Sequence, residues 1–220
     1  MTLELINVFN RPFVHKPSET IIADHVNAVG FIVNYENDCT AFSNYVEDEL
    51  KKQQKHSSWQ KVFKLYVPSG LAKYKKNYKN CNKAQADIEI KSLGITLAPK
   101  QILYHGGVLN ISSGGSISEP LSTTFNPLVA LTEAKDRGKA YNAGVVHVNV
   151  LKIVNEQLKI YPYKPQNKLG HEYEVLLGSG ATLTKTKETK VCNNYPVCTY
   201  CDGTMPQKDV EVYVIEWEVS

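Results

Sequence analysis

Two glutamates separated by a single residue, Glu172 and Glu174, lead into the apolar run Val175-Leu176-Leu177. In an extended strand, residues two apart share a face and lie roughly 6 to 7 Å apart, so this spacing directs two carboxylates into one cleft. Such a pair suits glycosyl chemistry. One carboxylate stabilises an oxocarbenium-like ribosyl cation while the other engages the incoming nucleophile. Two glutamates on a strand also describe an ordinary solvated surface, so their surroundings decide between the two. Two further motifs precede them: Leu103-Tyr104-His105-Gly106-Gly107, and Leu121-Ser122-Thr123-Thr124-Phe125-Asn126-Pro127. Two other signals carry less. Gly178-Ser179-Gly180 with Lys185-Thr186 resembles a phosphate loop in part, but Leu183 stands where the second glycine is required, so the segment reads as a turn. Cys192, Cys198 and Cys201 contain one Cys-x-x-Cys without a second pair; they read as free thiols in a loop before the final strand, with no metal expected.

The elements that must carry these groups divide the chain in two. Residues 1–98 read as mostly helical. Ser18 is a candidate cap for a helix over 18–34, a second helical pattern covers 41–66, and a third runs from 71 to 92 and stops near Gly94. After Pro99 short β-rich runs alternate with glycine turns. Strands are expected at Ile102–His105, Leu121–Phe125, Gly144–Ile153, Tyr173–Leu177 and Asp209–Val219. Asn126 caps a helix that has Pro127 as its first residue and Gly138 as its stop. The expected fold is α+β: N-terminal helices followed by a mixed or antiparallel two-sheet core, all in one domain.

Length and composition agree with one well-buried core. The chain has 220 residues, is 42% hydrophobic and 21% charged, and has a net charge of +3. No apolar run is long enough to span a bilayer and the first residues lack the pattern of a signal peptide, so a cytoplasmic location without membrane contact is expected. Five cysteines fit reduced thiols better than a disulfide framework. The charge is unevenly spread. From Lys51 to Lys83 there are ten lysines, among them Lys73, Lys75, Lys76 and Lys79, and no Asp or Glu, with Trp59, Tyr66, Tyr74 and Tyr78 interleaved. Lysines neutralise phosphates and aromatic rings offer stacking surfaces, so the segment is a candidate nucleic-acid contact. A solvated helical face with its tyrosines turned inward is the competing explanation.

In order and spacing, the three motifs between residues 101 and 219 resemble the ADP-ribosyltransferase superfamily. Its members carry a first-strand Arg or His followed by Gly, a Ser-Thr-Ser-like strand leading into a helix, and a Glu/Gln-x-Glu strand. The resemblance implies NAD+ as co-substrate, with Glu174 as the catalytic glutamate on the nicotinamide ribose, Ser122 holding it in position, and Thr123 and Thr124 completing that strand. It implies that Gly106 offers its backbone to the nicotinamide amide, with Tyr104 and His105 contacting NAD+ beside it. Glu172 would orient or deprotonate the acceptor, and the loop from Tyr161 to His171, including Tyr163, would contact it. Paired-glutamate members usually carry Arg on the first strand. This chain has His105 there and only Arg11 and Arg137 elsewhere; His-Gly belongs to the diphtheria-toxin and poly-ADP-ribose polymerase branch. The expected activity is mono-ADP-ribosylation of a macromolecule. RNA or another nucleic acid leads, as in messenger-RNA-modifying bacterial toxins of anti-phage defence, with Lys73, Lys75, Lys76 and Lys79 binding the acceptor. A protein arginine is the alternative acceptor, and an NAD+ glycohydrolase or an inactive NAD-binding relative are the remaining alternatives. A neutralising antitoxin is an expected partner.

Overall fold

The structure is a computed structural model that describes residues 2–35, 39–56, 67–163, 173–200 and 203–220. The expected α+β class is observed. The elements are β1 (Thr2–Leu3), β2 (Phe13–His15), β3 (Thr20–Ile22), α1 (His25–Asn34), α2 (Thr40–His56), α3 (Ser69–Lys76), α4 (Lys83–Leu93), β4 (Thr96–Leu97), β5 (Ile102–Gly106), β6 (Gly115–Ser116), β7 (Leu121–Thr124), α5 (Pro127–Lys135), α6 (Lys139–Ala143), β8 (Val145–Ile153), β9 (Ile160–Pro162), β10 (Glu174–Leu177), β11 (Thr182–Cys198) and β12 (Gln207–Val219).

Eight strands form one mixed sheet in the order β6-β11-β12-β8-β5-β7-β10-β9, in which β12 and β8 run parallel. The expected two sheets are thus joined, but narrowly. β5 pairs with β8 along its whole length, whereas a single register pair, Tyr104↔Thr124, links β5 to β7. Beyond Tyr104 the strands part, and the motif His105-Gly106-Gly107 runs along the opening. On the far side β7 and β10 pair over four residues, placing Glu174 opposite Thr124 and Leu176 opposite Ser122.

Local signals explain most elements. Asn126 accepts from the Leu128 amide at 3.0 Å, with Pro127 in the first helical position; such caps are worth about 1 kcal/mol. Gly138 ends the following turn at φ +72, but α6 resumes directly after it. Apolar positions of β8 and β12 interleave with α1 and α5 in one core. Gln101 is fully buried and holds the N-terminal segment over β5: it accepts from the Ile6 amide at 2.8 Å and donates to the Ile6 carbonyl at 2.9 Å.

Several expectations need correction. The 18–34 segment is a strand followed by a helix, because Asp24, not Ser18, caps α1 by accepting from the Asn27 amide. The Ser18 hydroxyl is engaged by His15 and Thr20 instead. The 71–92 pattern is two helices, divided where Asn82 accepts from the Gln85 amide and starts α4. The cysteine-bearing loop is the end of the 17-residue strand β11, with Cys192 and Cys198 on it as free thiols and Cys201 outside the described residues. Of the 41–66 pattern, α2 accounts for residues to His56, and 57–66 lie outside the description. No described helix is long and apolar enough to cross a membrane.

Candidate active site

Glu174 opens β10 and is mostly enclosed, its side chain 13% exposed. Its Oε1 accepts from the Ser122 hydroxyl at 2.8 Å. The register produces this contact: Ser122 opposes Leu176, so Ser122 and Glu174 are diagonal neighbours on one face of the β7–β10 pair. Thr123 alternates to the other face, where its hydroxyl donates to the Val175 carbonyl at 2.7 Å. The Thr124 hydroxyl accepts from the Asn126 amide at 3.0 Å. The hydroxyl run therefore divides its work. Ser122 holds the carboxylate, Thr123 locks the strand pair and Thr124 fixes the turn into α5.

Tyr173 stands at φ +47, a left-handed conformation that costs a non-glycine residue about 1 to 2 kcal/mol. Its ring is buried in the core, and its carbonyl accepts from the Phe125 amide at 3.4 Å. The strand accordingly starts at Glu174, one residue later than expected. Glu172 lies outside the described residues.

His105 reaches across the opening between β5 and β7, its Nδ1 bonded to the Ser122 carbonyl at 2.8 Å. A carbonyl only accepts, so Nδ1 carries the proton. Burial pushes the His105 pKa below its usual value, outweighing the Ser122 contact that raises it, with Lys139 lowering it further. The neutral ring therefore leaves Nε2 as an acceptor.

Gly106 and Gly107 do different things. A Cβ on Gly106 would lie 1.8 Å from the Ala130 carbonyl oxygen and 2.7 Å from the Ala134 nitrogen, so only glycine lets α5 approach β5 this closely. The Gly107 amide donates to the His147 carbonyl of the neighbouring β8 chain at 2.9 Å. Backbone groups alternate in direction along an antiparallel pair, and so the N–H and C=O of Gly106 turn away from β8 toward the opening. Gly107 itself sits at φ +115 with open space where a side chain would be.

Two further residues, absent from the sequence reading, build this site. Asn149, fully buried on β8, donates to the carbonyls of Gly107 at 2.7 Å and His105 at 3.2 Å, and accepts from the Trp217 indole at 3.0 Å. An asparagine among the valines of β8 was the available signal. The second is Glu89 on α4, buried at 8% exposure, whose carboxylate accepts from the amides of Gly70 at 3.1 Å and Leu71 at 2.8 Å. Burial pushes its pKa up, but hydrogen bonds from Gln85, Leu71 and Gly70 prevail and hold it below the usual range. Glu89 thereby caps the N-terminus of α3.

The lysine segment is divided by the fold. Leu71, Tyr74 and Lys75 follow helical spacing on one face of α3, which packs over β9 and β10. Lys75 Nζ lies 3.2 Å from Glu174 Oε2 and 4.5 Å from the centre of the Tyr163 ring. Lys73, Lys76 and Lys79 are exposed, with Tyr78 beside them. Acids from outside the segment neutralise other members: Glu47 pairs with Lys51, Glu49 with Lys52 and Glu119 with Lys83.

Tyr104 and Tyr163 are buried, and Tyr161 is half-buried. Tyr104 lines a cavity of about 230 Å³ with Leu5, Asn7, Asp24, Lys100 and Phe125. The loop expected from Tyr161 begins as strand β9, and Tyr163 is buried with its hydroxyl donating to the Leu71 carbonyl at 2.7 Å. Residues 164–172 lie outside the description. No group of three or more potential metal ligands occurs among the described residues.

No protein-family model matches the chain, and no curated protein matches its sequence. Solved structures do resemble it. The enzymatic component C2-I of the C2-toxin from Clostridium botulinum, at pH 3.0, is 12% identical with a TM-score of 0.37; the match covers 77% of this chain and 41% of that one. The same component at pH 6.1 is 13% identical with a TM-score of 0.34, over 75% and 41%. The ADP-ribosylating toxin BECa of a binary enterotoxin of C. perfringens, solved with NADH, is 14% identical with a TM-score of 0.37, over 89% of this chain and 48% of that one. The chain thus spans less than half the length of each of these proteins.

Proposed function

We propose that the chain is an ADP-ribosyltransferase that uses NAD+ and modifies a nucleic acid. The observation that carries this reading is the Ser122–Glu174 hydrogen bond of 2.8 Å at the edge of the opening between β5 and β7. A serine hydroxyl spent on one carboxylate oxygen fixes the direction of the other. That arrangement suits a carboxylate meant to face a ribose as its bond to nicotinamide breaks and positive charge develops on the sugar. His105 Nε2 is a second acceptor for a ribose hydroxyl. The outward N–H and C=O of Gly106 match the paired acceptor and donor of a carboxamide. When the glycosidic electron pair departs with nicotinamide, the acceptor's nucleophile bonds to the ribose carbon and its proton passes to a nearby base, the role proposed for Glu172.

The exposed Lys73, Lys76 and Lys79 with Tyr78 favour a polyanionic acceptor. Incubation of the chain with labelled NAD+ and cell lysate, followed by separate ribonuclease and protease digestion, tests both parts. Label lost to ribonuclease is expected. Reversal of Lys73, Lys76 and Lys79 to Glu should reduce that labelling far more than it reduces nicotinamide release, and the parent's RNA affinity should fall steeply with salt. Label that survives ribonuclease and is lost to protease would replace the nucleic-acid acceptor with a protein.

A further inference from the structure

We propose that Lys75 is a positioning residue that restrains Glu174, occupying its second oxygen until substrate displaces it; this rests on the function proposed above. Both carboxylate oxygens are engaged, Oε1 by Ser122 at 2.8 Å and Oε2 by Lys75 at 3.2 Å. A lysine normally keeps its ammonium in water. Here the side chain is only 15% exposed, and its ammonium lies between a carboxylate and the Tyr163 ring.

The surrounding structure holds it there. α3 is tied at its start by Glu89, which accepts from the Gly70 and Leu71 amides. A Cβ at Gly70 would fall 2.9 Å from both Gln85 Cγ and Glu89 Oε2, so glycine leaves room for the carboxylate there. The Tyr163 hydroxyl donates to the Leu71 carbonyl at 2.7 Å, and the Tyr74 hydroxyl to the Pro120 carbonyl at 2.9 Å. Helical spacing then places Lys75 on the same inward face as Leu71 and Tyr74.

The electrostatic consequence has a definite sign. A carboxylate promotes ribose cleavage by facing positive charge as it develops, and a fixed cation beside that carboxylate opposes the same charge. A ribose hydroxyl approaching Glu174 must also compete with Lys75 for Oε2. Lys75 therefore orders the carboxylate and suppresses its reaction with NAD+ and water in the absence of an acceptor.

The test uses the full chain and its Lys75→Met and Lys75→Arg variants, with nicotinamide release measured against NAD+ concentration, NAD+ affinity by calorimetry, and thermal melting. Lys75→Met should raise kcat for NAD+ hydrolysis by at least about tenfold, while Lys75→Arg, which keeps a cation, stays well below it. Adding Glu174→Gln to Lys75→Met should abolish the gain. A raised KM without a gain in kcat would make Lys75 a substrate-binding cation and overturn the proposal. Equal losses of activity and melting temperature in the Met and Arg variants would reduce it to packing. If Lys75→Met does not fold, Lys75→Gln carries the same expectation. A parent that neither binds NAD+ nor releases nicotinamide would remove the proposed function and this inference together. A parent that does both, with Lys75→Met no faster, would remove only the restraint.

Discussion

Glu174→Gln separates the chemistry of the carboxylate from its architecture. Glutamine has the same shape, and its amide oxygen can take the place of Oε1 and still accept from Ser122, whose hydroxyl lies 2.8 Å away. The amide nitrogen then replaces Oε2 and meets Lys75, 3.2 Å from that position, as donor against donor. The pair is mostly enclosed, at 15% and 13% exposure, so its loss should cost about 3 kcal/mol of stability, lowering the melting temperature of a chain this size by roughly 6 to 12 °C. The catalytic loss is read separately, in the folded variant. Removing a group aimed at developing charge costs about 2.7 to 4 kcal/mol, equivalent to roughly a hundred- to a thousandfold in rate. Nicotinamide release and transfer of labelled ADP-ribose should both fall by that factor, with NAD+ affinity within a few-fold of the parent's. Activity within a few-fold of the parent in a well-folded variant would refute the assignment of Glu174.

Three other perturbations test the scaffold around it. Gly106→Ala should destabilise by about 3 kcal/mol or more in urea unfolding, because the new methyl overlaps the Ala130 carbonyl and backbone cannot give way like a flexible side chain; a change under about 0.5 kcal/mol would disprove the close approach. Asn149→Ala leaves the Trp217 indole and the carbonyls of His105 and Gly107 without their partner, and should cost roughly 2 to 4 kcal/mol while weakening NAD+ binding. Full NAD+ affinity in that variant would show that Asn149 does not position the first motif. His105 and His147 both have pKa values lowered from 6.5, by burial first in each case. The unfolded chain therefore binds protons at these positions more readily, so stability contributed above pH 6.5 is lost as pH falls below it. His105→Gln should flatten the stability profile between pH 6.5 and its folded value, leaving the His147 part; an unchanged slope would refute a neutral, buried His105.

The β-rich half was legible because its signals are local. Asn126-Pro127 announces α5 without reference to anything distant, and alternation marks β8 and β12. The N-terminal half was harder because its helix boundaries depend on which of several polar residues caps. Ser18 and Asp24 both precede an apolar run, and the choice falls to Asp24 only because β2 and β3 pair and occupy Ser18. Apolar spacing likewise continued across Asn77–Asn82, where the chain breaks one helical pattern into two.

Within the site, the company of Ser122 and Glu174 was implied by the family resemblance, and the register of β7 and β10 is what brings the two together. Spacing failed where one backbone angle or one tertiary contact decides. Tyr173 at φ +47 starts the strand at Glu174, one residue later than alternation placed it. The protonation of His105 depends on a carbonyl seventeen residues away in the chain. Lys75 is the clearest case. Among ten lysines in an acid-free stretch it looks like one more solvated cation, yet it follows Leu71 by four residues as Tyr74 follows Leu71 by three, which assigns it to the buried face. A charge on a buried face needs a counter-charge, and the segment contains no acid to provide one. That conflict points to an acid elsewhere in the fold, and Glu174 is the carboxylate 3.2 Å away.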